Sequence, residues 1–450
     1  MAIKSPPHKL EAEKSVLGAC FISKYALQKT NERLQPESFY DEKNAKIFSA
    51  MQSLQETKTP IDLTTITTYL QDKNHLSIIG GVEYLTEVLN FVPTASNIDY
   101  YLNKVEDAAI LRSLIDTATK IAEEGYNTED TINDILDKSE KSILNIVKNR
   151  KASEFRTIKE VLVKTQHDLE HLSEHKGEIT GLSTGWTDLD KLTTGLHANE
   201  FIIIAARPAM GKTAFALNLA THVAKTQEKA VALFNLEMSG EQLAMRILSS
   251  VGQIEGYKLK TGNLMNNDWK RINEAISQLN QTNMVIDDTP GITIGEIRAK
   301  CRRIASGEHG LSLVVIDYLQ LISGGKNYGA NRQQEVSDIS RSLKTLAMEL
   351  GVPIIALSQL SRSVEGREDK RPLMSDLRES GSIEQDADIV SFLYRDDYYN
   401  KEARTEDNTS TSEFIVGKHR NGPTATIELL FKKNTSTFLN LRREDQGGLD

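Results

Sequence analysis

The stretch FIIIAARPAMGKTAFALNLATHVA, residues 201–224, restricts the possible folds more than any other part of the chain. An apolar run is followed by the turn ARPAMGKT and then by apolar residues at helical spacing. A strand, a loop and a helix in this order are typical of the phosphate-binding loop, whose signature is G-x-x-x-x-G-K-[ST]. The chain departs from that signature at its first position, where Ala206 replaces glycine. We expect alanine to be accepted there if the local backbone keeps φ below zero.

This loop predicts a binding site for a nucleoside triphosphate, whose base the sequence does not specify. Backbone N–H groups of the loop and of the first helical turn would surround the β-phosphate. Lys212 would neutralise charge on the β- and γ-phosphates, and the Thr213 hydroxyl would bind Mg²⁺. The predicted nucleotide-binding residues are Arg207, Pro208, Ala209, Met210, Gly211, Lys212, Thr213 and Ala214.

Short apolar runs alternate with helical segments from residue 181 onward: FIIIA, VALFNL, MVIDD, LSLVVID, VPIIALS and IVSFLY. Such runs are typical of parallel strands in a sheet that is covered by helices on both faces. After residue 411, the runs SEFIVGK, TATIELLF and TFLNL alternate in polarity and predict antiparallel strands at one edge. We therefore predict an α/β domain with a mostly parallel central sheet over residues 181–450.

Three polar residues lie at the carboxyl ends of these predicted strands, where open α/β sheets bind their ligands. Asp317 would help to hold Mg²⁺, and Glu237 would orient and activate the attacking water. Gln359 could sense the γ-phosphate and relay its loss to a loop. For Glu237, the alternative is a charge near the start of a helix, and the assignment of Gln359 rests on a weaker pattern.

The segment KHRNGP, residues 418–423, separates two of the predicted antiparallel strands, and Asn421-Gly422 predicts a turn. Lys418 and Arg420 would project from the same side of this hairpin, because strand residues alternate in direction. A cationic tip at the sheet edge is suited to reach the γ-phosphate of a neighbouring subunit as an arginine finger. The alternative is a solvated turn.

The first third of the chain has a different pattern. Residues 1–150 predict an all-helical domain, with a short loop at the Gly-Gly pair of SIIGGVEYL and a helical hairpin over 111–126 and 131–150. Residues 151–180 predict a linker with one amphipathic helix, which Thr157 and Glu160 would cap. Its apolar stripe consists of Ile158, Val161, Leu162, Thr165, Leu169 and Leu172.

Two features of the linker have competing interpretations. A lone amphipathic helix must bury its apolar stripe, and we hypothesise that it packs on a neighbouring subunit. His167, His171 and His175 have a spacing that can bind metal. Because they lie opposite the stripe and no cysteine or carboxylate cluster accompanies them, we favour a solvated polar face.

Composition narrows the setting in which the chain works. Two cysteines, Cys20 and Cys301, argue against a disulfide framework and for a reducing cytoplasm. No apolar run approaches the ~20 residues that span a bilayer, and the N-terminus is too polar for a signal peptide, so we expect no membrane partner. The net charge of −9 predicts that nucleic acid would be bound locally and not by a global positive field.

Taken in order, several motifs resemble those of DnaB-type bacterial replicative helicases. They are GLSTGWTDLDKLTTGL, AARPAMGKT, FNLEMS, VVIDYLQLI, ALSQLSR, DLRESGSIEQDAD and KHRNGP. PHKLEAEKSVLG and IGGVEYL resemble the helical N-terminal domain of the same family, so the resemblance covers residues 7–441.

The resemblance implies a RecA-like ATPase in a homohexameric ring with an N-terminal collar. It implies translocation on single-stranded DNA, 5′ to 3′, and unwinding of fork DNA, with a primase and a helicase loader as partners at the bacterial replication fork. It assigns Glu237 as catalytic base, Asp317 as the Mg²⁺-linked carboxylate, and Gln359 as sensor. Lys418 and Arg420 would be the fingers that act in trans.

The resemblance also implies that DNA is bound by the loop LRESGS, where Arg378, Glu379 and Gly381 would contribute mainly backbone contacts to phosphates. This loop and RSVEGREDKRPLMS contain no Phe, Tyr or Trp, so base stacking is not expected to hold the strand. For Arg378, an intramolecular salt bridge is the alternative. Two other functions stay open: a RecA-like recombinase, and an ATP-gated DNA-binding scaffold that does not unwind processively.

Overall fold

A computed structural model of the chain describes residues 5–126, 179–323, 332–400 and 408–441, together with scattered positions between 132 and 173. Within these ranges, residues 378–382 are described by their backbone alone. The chain divides into two units, Met1–Gln166 and His167–Asp450. The boundaries 1–150, 151–180 and 181–450 stay a prediction, and most of the linker lies outside the described residues.

The predicted linker helix is described at only a few positions. Of its apolar stripe, Ile158, Leu162 and Leu169 are described, with exposed fractions of 72%, 57% and 60%. The capping pair, the other stripe positions apart from Thr165, and the three histidines lie outside the described residues: Thr157, Glu160, Val161, Leu172, His167, His171 and His175. The second half of the predicted helical hairpin, residues 131–150, is also largely outside them.

The described part of the first unit is helical. Its α-helices are Leu10–Ile22, Lys24–Arg33, Glu42–Glu56, Leu63–Asp72, Leu76–Ile79, Gly81–Leu89 and Ile98–Tyr126, with a 3₁₀ turn at Pro36–Ser38. Side chains cap the start of three of them: Ser23 accepts from Ala26 N at 3.4 Å, Asp41 from Lys43 N at 2.9 Å, and Asp62 from Thr65 N at 2.8 Å. Phe48 and Met51 are among the fully buried residues of its core.

The Gly-Gly pair differs from the predicted loop. Gly80 (φ 97°) and Gly81 (φ 76°) adopt left-handed backbone conformations, and the pair directly joins Leu76–Ile79 to Gly81–Leu89. Glycine reaches this conformation without a steric penalty, so one helix ends and the next begins without an intervening loop. No helix in the described part of the chain is long and apolar enough to cross a bilayer.

The second unit contains one sheet whose strands are β1 Phe201–Ala206, β2 Ala230–Asn235, β3 Met284–Asp287, β4 Leu311–Asp317, β5 Ile354–Gln359, β6 Ile389–Tyr394, β7 Thr409–His419, β8 Thr426–Lys432 and β9 Thr437–Asn440. They lie in the order β3-β2-β4-β5-β1-β6-β7-β8-β9. The first six are parallel, and β7 to β9 add antiparallel strands at one edge. The predicted α/β fold is confirmed.

Helices cover both faces of this sheet. Along β1, Ile202 and Ile204 enter one hydrophobic cluster, and Phe201 and Ile203 enter the other. This double burial explains the uninterrupted apolar runs in the sequence. The α-helices of the unit are Thr187–Thr193, Lys212–Thr226, Gly240–Gly252, Gly256–Thr261, Asn266–Leu279, Ile294–Ala305, Arg332–Leu350, Gly381–Asp386 and Asp396–Tyr399. The 3₁₀ segments are Leu319–Leu321, Arg362–Gly366 and Met374–Ser380.

Candidate functional site

The turn between β1 and the helix Lys212–Thr226 has a backbone that suits phosphate binding. Ala209 (φ 65°) and Gly211 (φ 97°) both have positive φ, and Gly211 precedes the first helical residue. The left-handed backbone favours glycine at position 211, and a Cβ there would lie 3.0 Å from Cζ of Phe438, so the ring would have to shift. Ala206 ends β1 without a positive φ, which is the condition under which alanine is accepted at this position.

A cavity of about 350 Å³ lies beside this loop. All the predicted nucleotide-binding residues line it except Met210, whose side chain is buried in the core. Glu237 and Gln359 line it as well. Residues from separate strand ends therefore meet in one cavity, as the sheet topology predicts.

Lys212 lies at the base of this cavity. Its Nζ is 3.9 Å from Oδ1 of Asp317 and 4.6 Å from the centre of the Tyr318 ring. Burial lowers the pKa of Lys212, and the negative charges of Asp317 and Glu237 partly oppose that shift. The ammonium group thus lies among two carboxylates and an aromatic ring, in a place where phosphate oxygens would add further negative charge.

Thr213 and Asp317 form a pair with the chemistry of a Mg²⁺ site. The Thr213 hydroxyl donates to Asp317 Oδ2 at 2.6 Å. Asp317 is buried, and its Oδ1 has no hydrogen-bond partner among the described residues. A buried carboxylate oxygen without a partner is costly, and a hard cation or its water ligands would satisfy it. The two residues therefore fit Mg²⁺.

Asn235 joins this pair to Glu237. Its Nδ2 donates to Asp317 Oδ2 at 3.2 Å, while its Oδ1 accepts from the backbone N–H groups of Glu237 at 3.1 Å and Met238 at 2.7 Å. Glu237 itself follows the end of β2 by two residues and is exposed toward the cavity. The buried Asn235 amide thus connects Asp317, the candidate Mg²⁺ ligand, to the turn that carries Glu237, the predicted base.

Gln359 is the last residue of β5 and is exposed in the cavity wall. Its backbone exchanges two long hydrogen bonds with the Gln320 side chain, each 3.4 Å. The next residue, Leu360, donates its N–H to Ala206 O at 3.2 Å. A displacement of the Gln359 backbone would therefore act through Leu360 on Ala206, at the start of the phosphate-binding loop.

Arg207 lines the cavity, but its guanidinium is engaged elsewhere. Nε and Nη2 donate to Glu365 Oε1 at 2.9 and 2.6 Å, and Nη1 donates to Leu360 O at 2.8 Å. Its predicted role in nucleotide binding is accordingly limited to its backbone in this arrangement.

The hairpin residues Lys418 and Arg420 do not line this cavity. Lys418 Nζ donates to the carbonyls of Glu384 and Ala387 at 2.5 and 2.8 Å, and Arg420 Nη1 lies 3.3 Å from Asp388 Oδ1. Burial alone would raise the pKa of Asp388, but hydrogen bonds from Lys344 and the Phe201 N–H outweigh it, so the pKa is lowered and the carboxylate stays charged.

The register of the sheet separates the hairpin from the phosphate-binding loop of the same chain. His419 pairs with Ile389 at the start of β6, whereas Ala206 pairs with Leu393 near its end. Four residues of strand correspond to roughly 13 Å, and the hairpin tip continues away from the loop. Arg420 is still 59% exposed despite its ion pair, so its guanidinium is accessible from outside the chain.

The segment of Arg378, Glu379 and Gly381 is helical and not the loop that the sequence indicated. Arg378 and Glu379 lie in the 3₁₀ segment Met374–Ser380, and Gly381 begins the helix Gly381–Asp386. Their side chains lie outside the described part of the structure. The prediction of a loop failed because short 3₁₀ turns leave no apolar periodicity to detect.

Sequence reasoning missed several residues at the cavity. Arg246, Phe431 and Ser436 also line it, and Arg395 donates to Ala209 O at 3.1 Å from a position over the Phe431 ring. Phe431 and Ser436 come from β8 and the turn before β9, far from the loop in sequence. Their proximity depends on how the antiparallel strands pair, which no local motif encodes.

Two family models match the chain. The DnaB-like helicase C-terminal domain matches residues 181–440, and the DnaB-like helicase N-terminal domain matches residues 5–107. Among curated proteins, the chain is 52% identical to replicative DNA helicase DnaC of Bacillus subtilis over 445 residues, which is 99% of this chain and 97% of the relative. It is 51% identical to replicative DNA helicase DnaB of Geobacillus stearothermophilus, covering 97% and 96%.

Solved structures give the same result. A DnaB-like replicative helicase, described together with its interactions with primase, superposes with a TM-score of 0.77 at 36% identity, covering 96% of this chain and 100% of that one. A second solved structure, of an isolated ATPase domain, superposes with a TM-score of 0.60 at 42% identity, covering 64% of this chain and 100% of that one. The similarity thus extends over both units of the chain.

Proposed function

The chain belongs to the family of DnaB-like replicative DNA helicases, and we propose how its own residues carry out ATP-driven strand separation. It is an ATP-dependent DNA helicase with a RecA-like motor domain. The observation that carries the proposal is the cavity into which the phosphate-binding loop, Glu237 and Gln359 converge, with Asp317 hydrogen-bonded to Thr213 of its wall.

ATP binds in this cavity with its phosphates against the loop 207–214. Lys212 contacts the β- and γ-phosphates, and the N–H groups at the start of the helix surround the β-phosphate. Thr213 and Asp317 hold Mg²⁺, which when bound neutralises charge on the phosphates. The buried Oδ1 of Asp317 has no hydrogen-bond partner among the described residues, which supports this assignment.

Glu237 orients the attacking water and accepts its proton. Its exposure in the cavity leaves room for that water, and Asn235 fixes the turn on which it lies. Gln359 senses the γ-phosphate, and its neighbour Leu360 transmits the change to Ala206. These roles are those expected for a phosphoryl-transfer site with a positioned base.

Lys418 and Arg420 serve the site of an adjacent subunit in a homohexameric ring. The register of the sheet supports action in trans, because the hairpin and the phosphate-binding loop of one chain lie toward opposite ends of β6. The exposed stripe residues Ile158, Leu162 and Leu169 support docking of the linker helix on a neighbour.

Single-stranded DNA is held by Arg378, Glu379 and Gly381, mainly through backbone contacts to phosphates, while the ring moves 5′ to 3′ and opens fork DNA. The proposed protein partners are a primase, because a structural relative was described with one, and a helicase loader, by family resemblance. The setting is the bacterial cytoplasm, at the replication fork in the nucleoid.

Complementation between two inactive variants tests the trans arrangement. Lys212→Ala chains retain the finger, and Arg420→Ala chains retain the phosphate-binding loop. Rings assembled from an equal mixture would regain about a quarter of wild-type sites if the finger comes from a neighbour and chains mix at random. Mixed rings that hydrolyse no more ATP than either variant alone would contradict action in trans. Arg303→Ala, an exposed cation on another helix, is the control for loss of surface charge.

A further inference from the structure

Two ion pairs in series connect the phosphate-binding loop to the segment proposed to hold DNA. The first is Arg207–Glu365, in which Nε and Nη2 share one carboxylate oxygen at 2.9 and 2.6 Å. The Arg207 side chain is only 9% exposed, and its third bond, to Leu360 O, holds it against the residue after Gln359. Arg207 is the first residue of the phosphate-binding loop. A displacement of Glu365 therefore either moves this loop or breaks the Arg207–Glu365 ion pair.

The second ion pair is Arg367–Asp376. Nη1 and Nη2 of Arg367 donate to the two carboxylate oxygens of Asp376 at 3.1 and 2.7 Å. Asp376 is buried, and the same carboxylate also accepts from Leu373 N at 2.7 Å. Two parallel bonds fix the relative orientation of the groups as well as their distance.

A single residue separates the two ion pairs along the chain. Glu365 and Arg367 are separated only by Gly366, at the end of the 3₁₀ segment Arg362–Gly366. Val364 of that segment is fully buried and accepts from Arg367 N at 3.3 Å. Asp376 lies in the segment Met374–Ser380, two residues before Arg378. The two ion pairs therefore bypass residues 368–373, and the remaining step from Asp376 to Arg378 passes through Leu377, a buried residue at a kink in that segment.

We propose that Glu365, Arg367 and Asp376 are positioning residues that, with the Arg207 side chain, transmit DNA binding to the phosphate-binding loop and so make hydrolysis depend on DNA. This inference rests on the proposed DNA-binding role of Arg378, Glu379 and Gly381. When DNA phosphates bind at Arg378, Glu379 and Gly381, the segment Met374–Ser380 moves and displaces Asp376. The bidentate ion pair transmits that displacement to Arg367. Glu365 then shifts Arg207, which changes the geometry around Lys212 and Thr213. If the two ion pairs only stabilised the fold, their loss would not change the ratio of the ATP hydrolysis rates with and without DNA.

The test measures ATP hydrolysis by the full-length chain with and without single-stranded oligonucleotide, and oligonucleotide affinity by fluorescence anisotropy. The variants are Glu365→Gln, Asp376→Asn and the double variant. Each single change is expected to lower the stimulation by DNA at least about fivefold, the scale of a typical coupling free energy. The double variant is expected to fall no further than the more impaired single variant, because either break interrupts the same connection.

Two controls make the result specific. Glu368→Gln removes an exposed carboxylate from the same loop and is expected to keep wild-type stimulation. Thermal unfolding midpoints show whether Asp376→Asn folds; if it does not, Arg367→Lys replaces it, since lysine keeps the charge but loses the bidentate geometry. Wild-type stimulation in Glu365→Gln, or losses that multiply in the double variant, would overturn the inference.

Gly381→Pro separates this inference from the proposal on which it rests, because it removes a backbone N–H proposed to contact DNA phosphate at the first residue of a helix, where proline is tolerated. If the inference alone is wrong, Gly381→Pro weakens oligonucleotide binding while Glu365→Gln keeps full stimulation. If the proposed DNA-binding segment is wrong, Gly381→Pro binds oligonucleotide as the wild type does, and the inference falls with it.

Discussion

The Thr213 hydroxyl donates to Oδ2 of Asp317 at 2.6 Å, which joins the first turn after the phosphate-binding loop to the end of β4. The other oxygen of Asp317 is buried without a hydrogen-bond partner in the described residues. We therefore propose that the charge of Asp317 supports Mg²⁺ binding.

Asp317→Asn keeps an oxygen that can accept from Thr213 but removes the negative charge. We expect the Mg²⁺ concentration needed for half-maximal hydrolysis to rise about 10–100-fold, as is typical when a residue supporting a metal site is lost. A titration of hydrolysis rate against Mg²⁺ measures it. Asp287→Asn, at the end of β3 and paired with Lys300, should leave the titration unchanged; an unchanged Asp317→Asn titration would remove Asp317 from the site.

Substitutions at Ala206 and Gly211 should affect nucleotide binding to very different extents. Ala206→Gly should change nucleotide affinity by no more than about threefold, because alanine is unstrained there and glycine adds only backbone freedom. Gly211→Ala should weaken nucleotide binding about tenfold or more, because the new Cβ is strained in a left-handed conformation and lies 3.0 Å from Phe438 Cζ. Binding of a fluorescent ATP analogue measures both, and Lys212→Ala is the reference for a lost site. A large loss in Ala206→Gly would contradict this account of the loop.

The sheet and much of its site could be predicted from the sequence, because burial on both faces leaves uninterrupted apolar runs and because ligands lie where parallel strands end. Glu237 and Gln359 line the cavity because they lie at the carboxyl ends of the parallel strands β2 and β5. The side-chain partners of Arg207 could not be predicted, since Glu365 and Leu360 are brought to it by the pairing of β1 with β5. The helical state of Met374–Ser380 was equally inaccessible, because so short a turn has no periodicity.

Asn235 should matter for hydrolysis more than for nucleotide binding. Its amide donates to Asp317 and accepts from the N–H groups of Glu237 and Met238, and only an amide provides both functions in this geometry. Asn235→Ala is expected to lower kcat about tenfold or more with a smaller change in KM, since the base loses its support.

Asn235→Asp distinguishes that role from simple packing. It nearly conserves volume but places a second carboxylate against Asp317, so like-charge repulsion should lower kcat at least as much as alanine does. Steady-state kinetics of both variants provide the measurement. A kcat for Asn235→Asp close to wild type would show that the amide donor is not needed.

His222 predicts a pH dependence of stability. Burial lowers the pKa of its imidazole from the usual 6.5, and Asp190 partly opposes the shift. The unfolded chain therefore binds this proton at a higher pH than the folded chain does. Above pH 6.5, His222 is neutral in both states and causes no loss of unfolding free energy. As the pH falls from 6.5 through the lower folded-state pKa, protonation of the unfolded chain decreases the unfolding free energy.

Urea unfolding at pH 7.5 and pH 5.5 measures that loss. The decrease in unfolding free energy on acidification should be smaller in His222→Gln than in the wild type, because glutamine binds no proton. His309→Gln, an exposed histidine, is the matched control and should behave like the wild type. Equal decreases in the wild type and His222→Gln would show that His222 does not contribute.

Strand separation on a forked duplex tests the central claim most directly. With ATP and Mg²⁺, the wild-type chain should release the displaced strand of a labelled fork, and Lys212→Ala should release none, because movement depends on hydrolysis in the cavity beside Lys212. DNA-stimulated hydrolysis without strand release would contradict the account and favour a recombinase or an ATP-gated scaffold.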